Sequence, residues 1–252
     1  MIVLLHSGGL DSHVCFLMHP DWKPVYVAHG SENEEAELKA LTDLQELDPR
    51  FRVVVLRAVT GAARHDGHIA HRNLLLLTTA LAVFPMAEAV AFGALLGEGS
   101  GDKSRAFCRA TERVWRLSEG RNVKLLRPLR HMTKARALRH GMALPGGRGL
   151  AVTTSCYHGT HCGRCQACFR LGIARYLCGL DAVPPKLPAE TLGIQATLEA
   201  TPVRRWPALA LANVDVLRAY ALARLRRNLA KPYIGAGPQS LGRHGADRER
   251  EK

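Results

Sequence analysis

The strongest constraint on this chain lies in its first dozen residues. Ile2-Val3-Leu4-Leu5-His6 is a continuous aliphatic run, and Ser7-Gly8-Gly9-Leu10-Asp11-Ser12 follows without a spacer. His13 to Met18 then reads as the opening turns of an apolar helix. A strand buried on both faces of a parallel sheet has this unbroken apolar character. A glycine pair lets backbone N–H groups close on an anion where a Cβ would intrude. The helix behind it presents the positive end of its dipole. Ser7 and Ser12 add hydroxyls suited to phosphate oxygens. Asp11 is unexpected beside an anion, and its presence is accounted for if it helps to hold Mg²⁺, which commonly takes one or two carboxylates and keeps its waters.

A tight turn between strand and helix needs only the Gly-Gly pair, which is common. The full Ser-Gly-Gly-x-Asp-Ser string is much rarer. No Gly-Lys-Ser/Thr follows it, and the three spaced glycines of a dinucleotide fingerprint are missing. The string resembles the PP-loop of the ATP pyrophosphatase family. That resemblance implies cleavage of ATP to AMP and pyrophosphate, with a carbonyl or carboxyl oxygen activated as its adenylate.

Downstream the chain alternates. Short apolar runs at 25–29, 51–56, 89–94 and 123–126 predict strands, and periodic segments at 33–46, 73–84, 105–117 and 133–140 predict helices. Alternation with helices of this length predicts a doubly wound, five-stranded parallel sheet. Ligands of such sheets bind beyond the carboxyl ends of the strands. The loops after residues 6, 29, 57, 94 and 127 therefore belong to one functional rim. Three regions are expected: 1–150 carrying the nucleotide site, 151–180 carrying a cysteine knuckle and helix, and 181–252 comprising a Pro-rich linker, a basic helix from Asn213 to Leu229 and a frayed tail.

Four of the seven cysteines, Cys156, Cys162, Cys165 and Cys168, fall within thirteen residues at the spacing C-x5-C-x2-C-x2-C. Four thiolates with no open position describe a structural Zn²⁺ site. A [4Fe–4S] cluster is the competing reading, and His158 or His161 offers an alternative ligand. Cys15, Cys108 and Cys178 read as ordinary buried or half-buried residues.

A PP-loop at the start and a four-cysteine knuckle near residue 160 together resemble the QueC family of 7-cyano-7-deazaguanine synthases. His71-Arg72-Asn73-Leu74-Leu75 is similar to that family's Gly-Arg-Asn-aliphatic segment, and Arg127-Pro128-Leu129 with Met132-Thr133-Lys134-Ala135 to its Pro-Leu…(Ser/Thr)-Lys-Ala segment. His29-Gly30 stands where the family has Tyr-Gly. Two departures stand out. Five residues, not seven or eight, separate the first two knuckle cysteines. The family's Tyr-Pro-Asp-Cys-Arg-Pro-Glu-Phe string is represented only by Gly101-Asp102-Lys103-Ser104-Arg105-Ala106-Phe107.

The resemblance implies a PP-loop fold of the adenine nucleotide α-hydrolase type, with ATP, Mg²⁺ and Zn²⁺ as its small-molecule and metal complement. It implies conversion of 7-carboxy-7-deazaguanine and ammonia to the 7-cyano product through an adenylated acid, an amide and an adenylated amide. Ser7, Gly8, Gly9, Leu10, Asp11 and Ser12 then cradle the pyrophosphate, and backbone groups around Ala28 and Gly30 hold adenine. Asp11, Lys134 and Arg72 serve catalysis, while Asp102, Lys103, Ser104 and Phe107 face the deazaguanine. A homodimer and a role in tRNA or DNA modification also follow from the resemblance. A homologue that stops at the amide, a tRNA-modifying PP-loop thiolase or ligase, and a non-enzymatic nucleotide-binding module are the alternatives.

Charge adds one expectation. The chain of 252 residues carries a net +13, and from Arg204 onward there are eleven Lys/Arg against four Asp/Glu. Arg218, Arg224, Arg226 and Arg227 share a helix whose apolar members Val214, Leu217, Tyr220, Ala221 and Leu225 should be buried. The arginines then face solvent or make weak, salt-sensitive contact with nucleic acid. No apolar run approaches the ~20 residues of a membrane span, so no membrane partner is expected and the cytoplasm is the expected compartment.

Overall fold

The computed structural model describes residues 1–58, 69, 71–96, 101–159, 161–163, 165–185 and 214–229. Five parallel strands, β1 (Ile2–Leu5), β2 (Lys23–Ala28), β3 (Val54–Arg57), β4 (Ala89–Ala91) and β5 (Lys124–Leu126), form one sheet in the order β3-β2-β1-β4-β5. In register, Val3 lies between Lys23 of β2 and Val90 of β4. The helices between them are α1 (Leu10–Met18), α2 (Glu34–Leu47), α3 (Arg72–Val83) and α4 (Arg105–Glu119). After β5 come α5 (Lys134–Ala143), a 3-10 segment Gly147–Val152, α6 (Gln166–Leu177) and α7 (Val214–Leu229).

This is the expected doubly wound sheet, and both faces are covered. Leu4 and Tyr26 pack with Leu10, Val14, Phe16, Leu41 and Leu138 on one side. Val3, Val25 and Val90 pack with Leu77, Leu81 and Trp115 on the other. The first of these clusters runs on without a break to Leu150 and Ala174. Strand order reverses between β1 and β4, so the loop after β1 opens at the switch point where such sheets bind their ligands.

Boundaries differ from expectation where burial and pairing part company. The run from Phe51 was expected to be strand, yet pairing with β2 begins only at Val54. Phe51 is fully buried as a core anchor 4.9 Å from Phe16. The first helix begins at Leu10, not His13, which places Asp11 and Ser12 in its first turn. β4 ends at Ala91 and not at residue 94. Gly93 follows at a point where a Cβ would lie 2.9 Å from the carbonyl carbon of Asp11, so only a glycine lets this strand end approach α1 so closely.

The tail helix is docked, and of the apolar residues expected to be buried Tyr220 faces inward. Val216, Ala219, Tyr220 and Ala223, spaced i, i+3, i+4, i+7, meet Phe169, Ile173 and Tyr176 of α6. Asp215 Oδ2 accepts a hydrogen bond from the Ala135 N–H at 2.8 Å. That bond sets the rotation of the helix. Arg218 and Arg226 are exposed, and the Arg226 guanidinium lies 5.4 Å from the centre of the Tyr176 ring. The expected linker beyond residue 185, the expected helix start at Asn213, the tail beyond 229, and the side chains of Val214, Leu217, Arg224, Leu225 and Arg227 lie outside the described residues. No described helix is long and apolar enough to cross a membrane.

Candidate active site and metal centre

The loop after β1 is shaped by its own backbone bonds. Gly8 has φ +70°, a conformation natural to glycine. Its N–H donates to His6 Nδ1 at 3.1 Å, and its carbonyl accepts from the Thr154 N–H at 2.9 Å. Gly8 therefore holds the loop in place with both its polar groups. A Cβ there would meet the Glu37 carbonyl at 2.8 Å. Burial pushes the His6 imidazolium well below its usual range, and nearby His13 adds to this. Neutral His6 keeps Nδ1 as an acceptor. Gly9 caps α1 without any side-chain bond, so the first N–H groups of the helix point to the rim without partners inside the helix. The Ser12 hydroxyl turns back to the Gly9 carbonyl at 2.9 Å, while Leu10 is a core residue.

A cavity of about 280 Å³ opens in front of this loop. Ser7, Gly9, Asp11 and Ser12 line it from β1 and α1, Arg72 and Asn73 from α3, Lys103 from the segment before α4, and Lys134 from α5. Lys134 Nζ stands 3.0 Å from both carboxylate oxygens of Asp11. The two side chains are only 14% and 21% exposed, which separates Lys134 from the solvated lysine that a helix surface would give. Four cationic side chains, Arg72, Lys103, Lys134 and Arg170, converge on one cavity. Such a wall suits a polyanionic ligand.

Other sequence-selected positions fall elsewhere. Ser104 is the N-cap of α4 and accepts from the Phe107 N–H at 3.0 Å. Phe107 packs against the Val3–Trp115 cluster. Asp102 sits in a single 3-10 turn, and of this group only Lys103 lines the cavity. Ala28 is buried in β2. The N–H groups of His29 and Gly30 both donate to Glu34 Oε2, at 2.9 and 2.6 Å. His29 and Asn33 line the cavity from this loop, whereas Ala28 and Gly30 do not.

Several residues here had no motif to announce them. Arg170 enters from α6. Gly93 allows the close approach already described. Glu37 is half-buried in the wall: Tyr26 Oη donates to its Oε2 and Asn33 Nδ2 to its Oε1, each at 2.9 Å. Burial pushes the Glu37 carboxyl up to about 7, against the pull of the Tyr26 and Asn33 donors and of Arg72. In the sequence Glu37 passes for one of three acids suited to a helix start; its inward direction is a tertiary fact.

The cysteine cluster adjoins this cavity. The Sγ atoms of Cys156, Cys162, Cys165 and Cys168 all lie within 4.8 Å of one another. Cys156 and Cys165 are 4.0 Å apart, and Cys162 and Cys168 3.9 Å. Disulfide sulfurs would be ~2.05 Å apart. Four thiolates ~2.3 Å from one tetrahedral ion are separated by ~3.8 Å, so the cluster fits a single ion. Thiolates on the outside of a four-iron cube bind four different metals and must stand farther apart. Gly163, with φ +68°, makes the tight turn between two of the ligands. Cys165 also caps α6, its sulfur accepting from the Cys168 N–H at 3.4 Å. Cys156, Tyr157, Ala167 and Arg170 all line the cavity, so the knuckle is one of its walls. Cys15 and Cys108 are buried and Cys178 is partly so, apart from the cluster.

Comparison with known proteins agrees with this arrangement. A family model described as queuosine biosynthesis protein QueC matches residues 54–173. The 7-cyano-7-deazaguanine synthase of Alcanivorax borkumensis is 29% identical over 203 residues, covering 66% of this chain and 90% of the relative. Those of Azoarcus sp. and Thiobacillus denitrificans are 32% and 33% identical over 203 residues, covering 66% of this chain and 88% and 89% of theirs. With a PP-loop at the switch point of the sheet and a four-thiolate knuckle beside it, the chain belongs to the QueC family of 7-cyano-7-deazaguanine synthases.

Proposed function

We propose that this protein converts 7-carboxy-7-deazaguanine and ammonia to 7-cyano-7-deazaguanine at the expense of ATP. The observation that carries the reading is the cavity itself. An N-terminal helix end, a partly buried Asp11–Lys134 pair and three further cations meet beside a metal-ready knuckle. The carboxylate of the acid attacks the α-phosphorus of ATP and pyrophosphate leaves. Charge grows on that leaving group, and oriented donors at developing charge are commonly the largest catalytic contribution. Ser7, Gly9 and the first N–H groups of α1 supply donors, and Lys134 and Arg72 supply positive charge. Ammonia then displaces AMP to give the amide. A second adenylation, on the amide oxygen, followed by loss of AMP, gives the nitrile.

The residues fit Mg²⁺ at Asp11, the carboxylate of the loop, whose side chain reaches the cavity. Bound there, the ion would neutralise charge on the phosphates. Zn²⁺ suits the four thiolates, where no ligand position is left for chemistry. That closed set argues against a tRNA thiolase built on an iron–sulfur cluster. A dimer and the use of the product in tRNA or DNA modification complete the proposal.

The test is direct. Purified protein with the acid, ATP, Mg²⁺ and ammonium should form AMP and the nitrile, followed by mass spectrometry. Accumulation of the amide alone would identify a homologue that stops there, and would direct attention to Lys103, which replaces part of the family's Cys-Arg segment. Absence of AMP with any deazaguanine acid would refute the reading.

A further inference from the structure

Each turn of the proposed reaction must dispose of protons. When ammonia attacks the acyl adenylate, its lone pair forms the C–N bond. The C–O bond then breaks with its electron pair on AMP, and one N–H proton must leave to give the neutral amide. When the adenylated amide, whose carbon is already doubly bonded to nitrogen, becomes a nitrile, the nitrogen gives up its two remaining protons, the C–N bond gains one electron pair, and AMP again departs with the C–O pair. A general base is needed at nitrogen in both stages, and no residue has yet been given that task.

We propose that Glu37 is this base, taking N–H protons from the substrate nitrogen and passing them to solvent. The inference rests on the function proposed above. Among the described residues, the carboxylates lining the cavity are Asp11 and Glu37. Asp11 is occupied by Lys134. Glu37 receives one neutral donor on each oxygen, from Tyr26 and from Asn33. Each oxygen keeps a lone pair, and the two bonds fix the carboxylate plane. Of the imidazoles lining the cavity, His6 accepts the Gly8 N–H at Nδ1 and so carries its proton on Nε2, with no lone pair to offer. His29 donates Nδ1 to the Val27 carbonyl at 2.9 Å and is the competing base, to which a pH limb that survives Glu37→Gln would point.

The surroundings of Glu37 are mixed. Tyr26 faces it from β2, Asn33 and Glu34 from the start of α2, and Arg72 from α3. Asp11, His6, His29, Lys103, Lys134 and Arg170 share the cavity. Burial dominates this mixture and brings the carboxyl to about 7. A base is most effective when its pKa lies near the working pH. An ordinary glutamate, near 4.3, would accept a proton far less readily.

The experiment separates steps that move a nitrogen proton from one that does not. Adenylation of the acid, read as acid-dependent exchange of labelled pyrophosphate into ATP, involves no N–H bond. Amide formation does. We expect Glu37→Gln to keep exchange within about threefold and to lose amide formation by about 10²–10⁴-fold. At constant free ammonia, the rising limb near pH 7 should vanish in that variant. Tyr26→Phe supplies a second reading: with one donor to the charged form removed, the limb should move to higher pH while activity persists. Equal loss of exchange and amide formation in Glu37→Gln, an unchanged limb in either variant, or a limb that stays put in Tyr26→Phe if the glutamine variant fails to fold, would overturn the assignment. Wild-type protein without any acid-dependent exchange would instead defeat the proposed function, which distinguishes the two failures.

Discussion

Two buried histidines and the half-buried Glu37 oppose one another in this core. Burial lowers His13 to about 4, with Asp48 partly offsetting it, and holds His6 well below its usual range. Burial raises Glu37 to about 7. The signs follow from proton counts. Below pH 6.5 the unfolded chain takes up protons on these histidines that the fold refuses, so their contribution is lost as pH falls from about 6.5 toward 4. Between its unfolded value of about 4.3 and about 7, folded Glu37 holds a proton that the unfolded chain has released, so its contribution is lost as pH rises through that window. Each proton is worth about 1.4 kcal/mol per pH unit. From pH 4.5 to 6.5 Glu37 therefore cancels about one histidine. Denaturant unfolding across this range should show a steeper acid limb for Glu37→Gln and a shallower one for His13→Asn. Equal slopes in all three proteins would contradict these burial effects.

Elements meet at α5. Its N-terminus carries Lys134 and is capped by Thr133, whose hydroxyl accepts from the Arg136 N–H at 3.3 Å. Asp215 closes a further orphan N–H, at Ala135, from a helix 80 positions away. A carboxylate at a helix N-terminus is stabilising in both charge and hydrogen bonding. Asp215→Ala should cost about 1–2 kcal/mol of stability, with Asp215→Asn restoring part of it. Truncation after Arg205 removes α7 and bares Phe169, Ile173 and Tyr176. The expected result is a lower melting temperature and loss of solubility, measured by calorimetry and sedimentation. A truncated chain as stable as the full one would show that α7 does not support the fold. Arg218 and Arg226 keep their exposure in the docked helix, so weak salt-dependent nucleic-acid contact stays a separate expectation, testable at low ionic strength.

At the scale of the molecule, metal and catalytic cavity are joined through one short segment. Thr154 holds Gly8 of the PP-loop by its N–H, and Cys156 begins the knuckle two residues later. Four neighbouring thiolates without an ion repel as they ionise and offer little packing in return. Chelation should therefore lower stability by several kcal/mol and abolish pyrophosphate exchange together with amide formation. Readdition of a single Zn²⁺ per chain should restore both. The protein is expected to be colourless. A brown protein, or full exchange activity after complete removal of the metal, would show that the knuckle is not the wall described here.

What the residues determined by themselves was local. A continuous aliphatic run, a small-residue loop and caps at Ser104 and Thr133 set strand, turn and helix starts, because these depend on backbone sterics and near neighbours. Cysteine spacing disclosed the metal cluster, because four ligands within thirteen residues can reach one ion under almost any fold. The order of the strands, and with it the switch point, came from how helices cover the sheet. So did the inward turn of Glu37, the entry of Arg170, the partly buried pairing of Asp11 with Lys134 across 123 positions, and the rotation of α7 by Asp215. Each is a meeting of side chains from distant elements. The direction and burial of such groups are set by packing, and a charged residue in a helical sequence looks the same whether it faces water or a cavity.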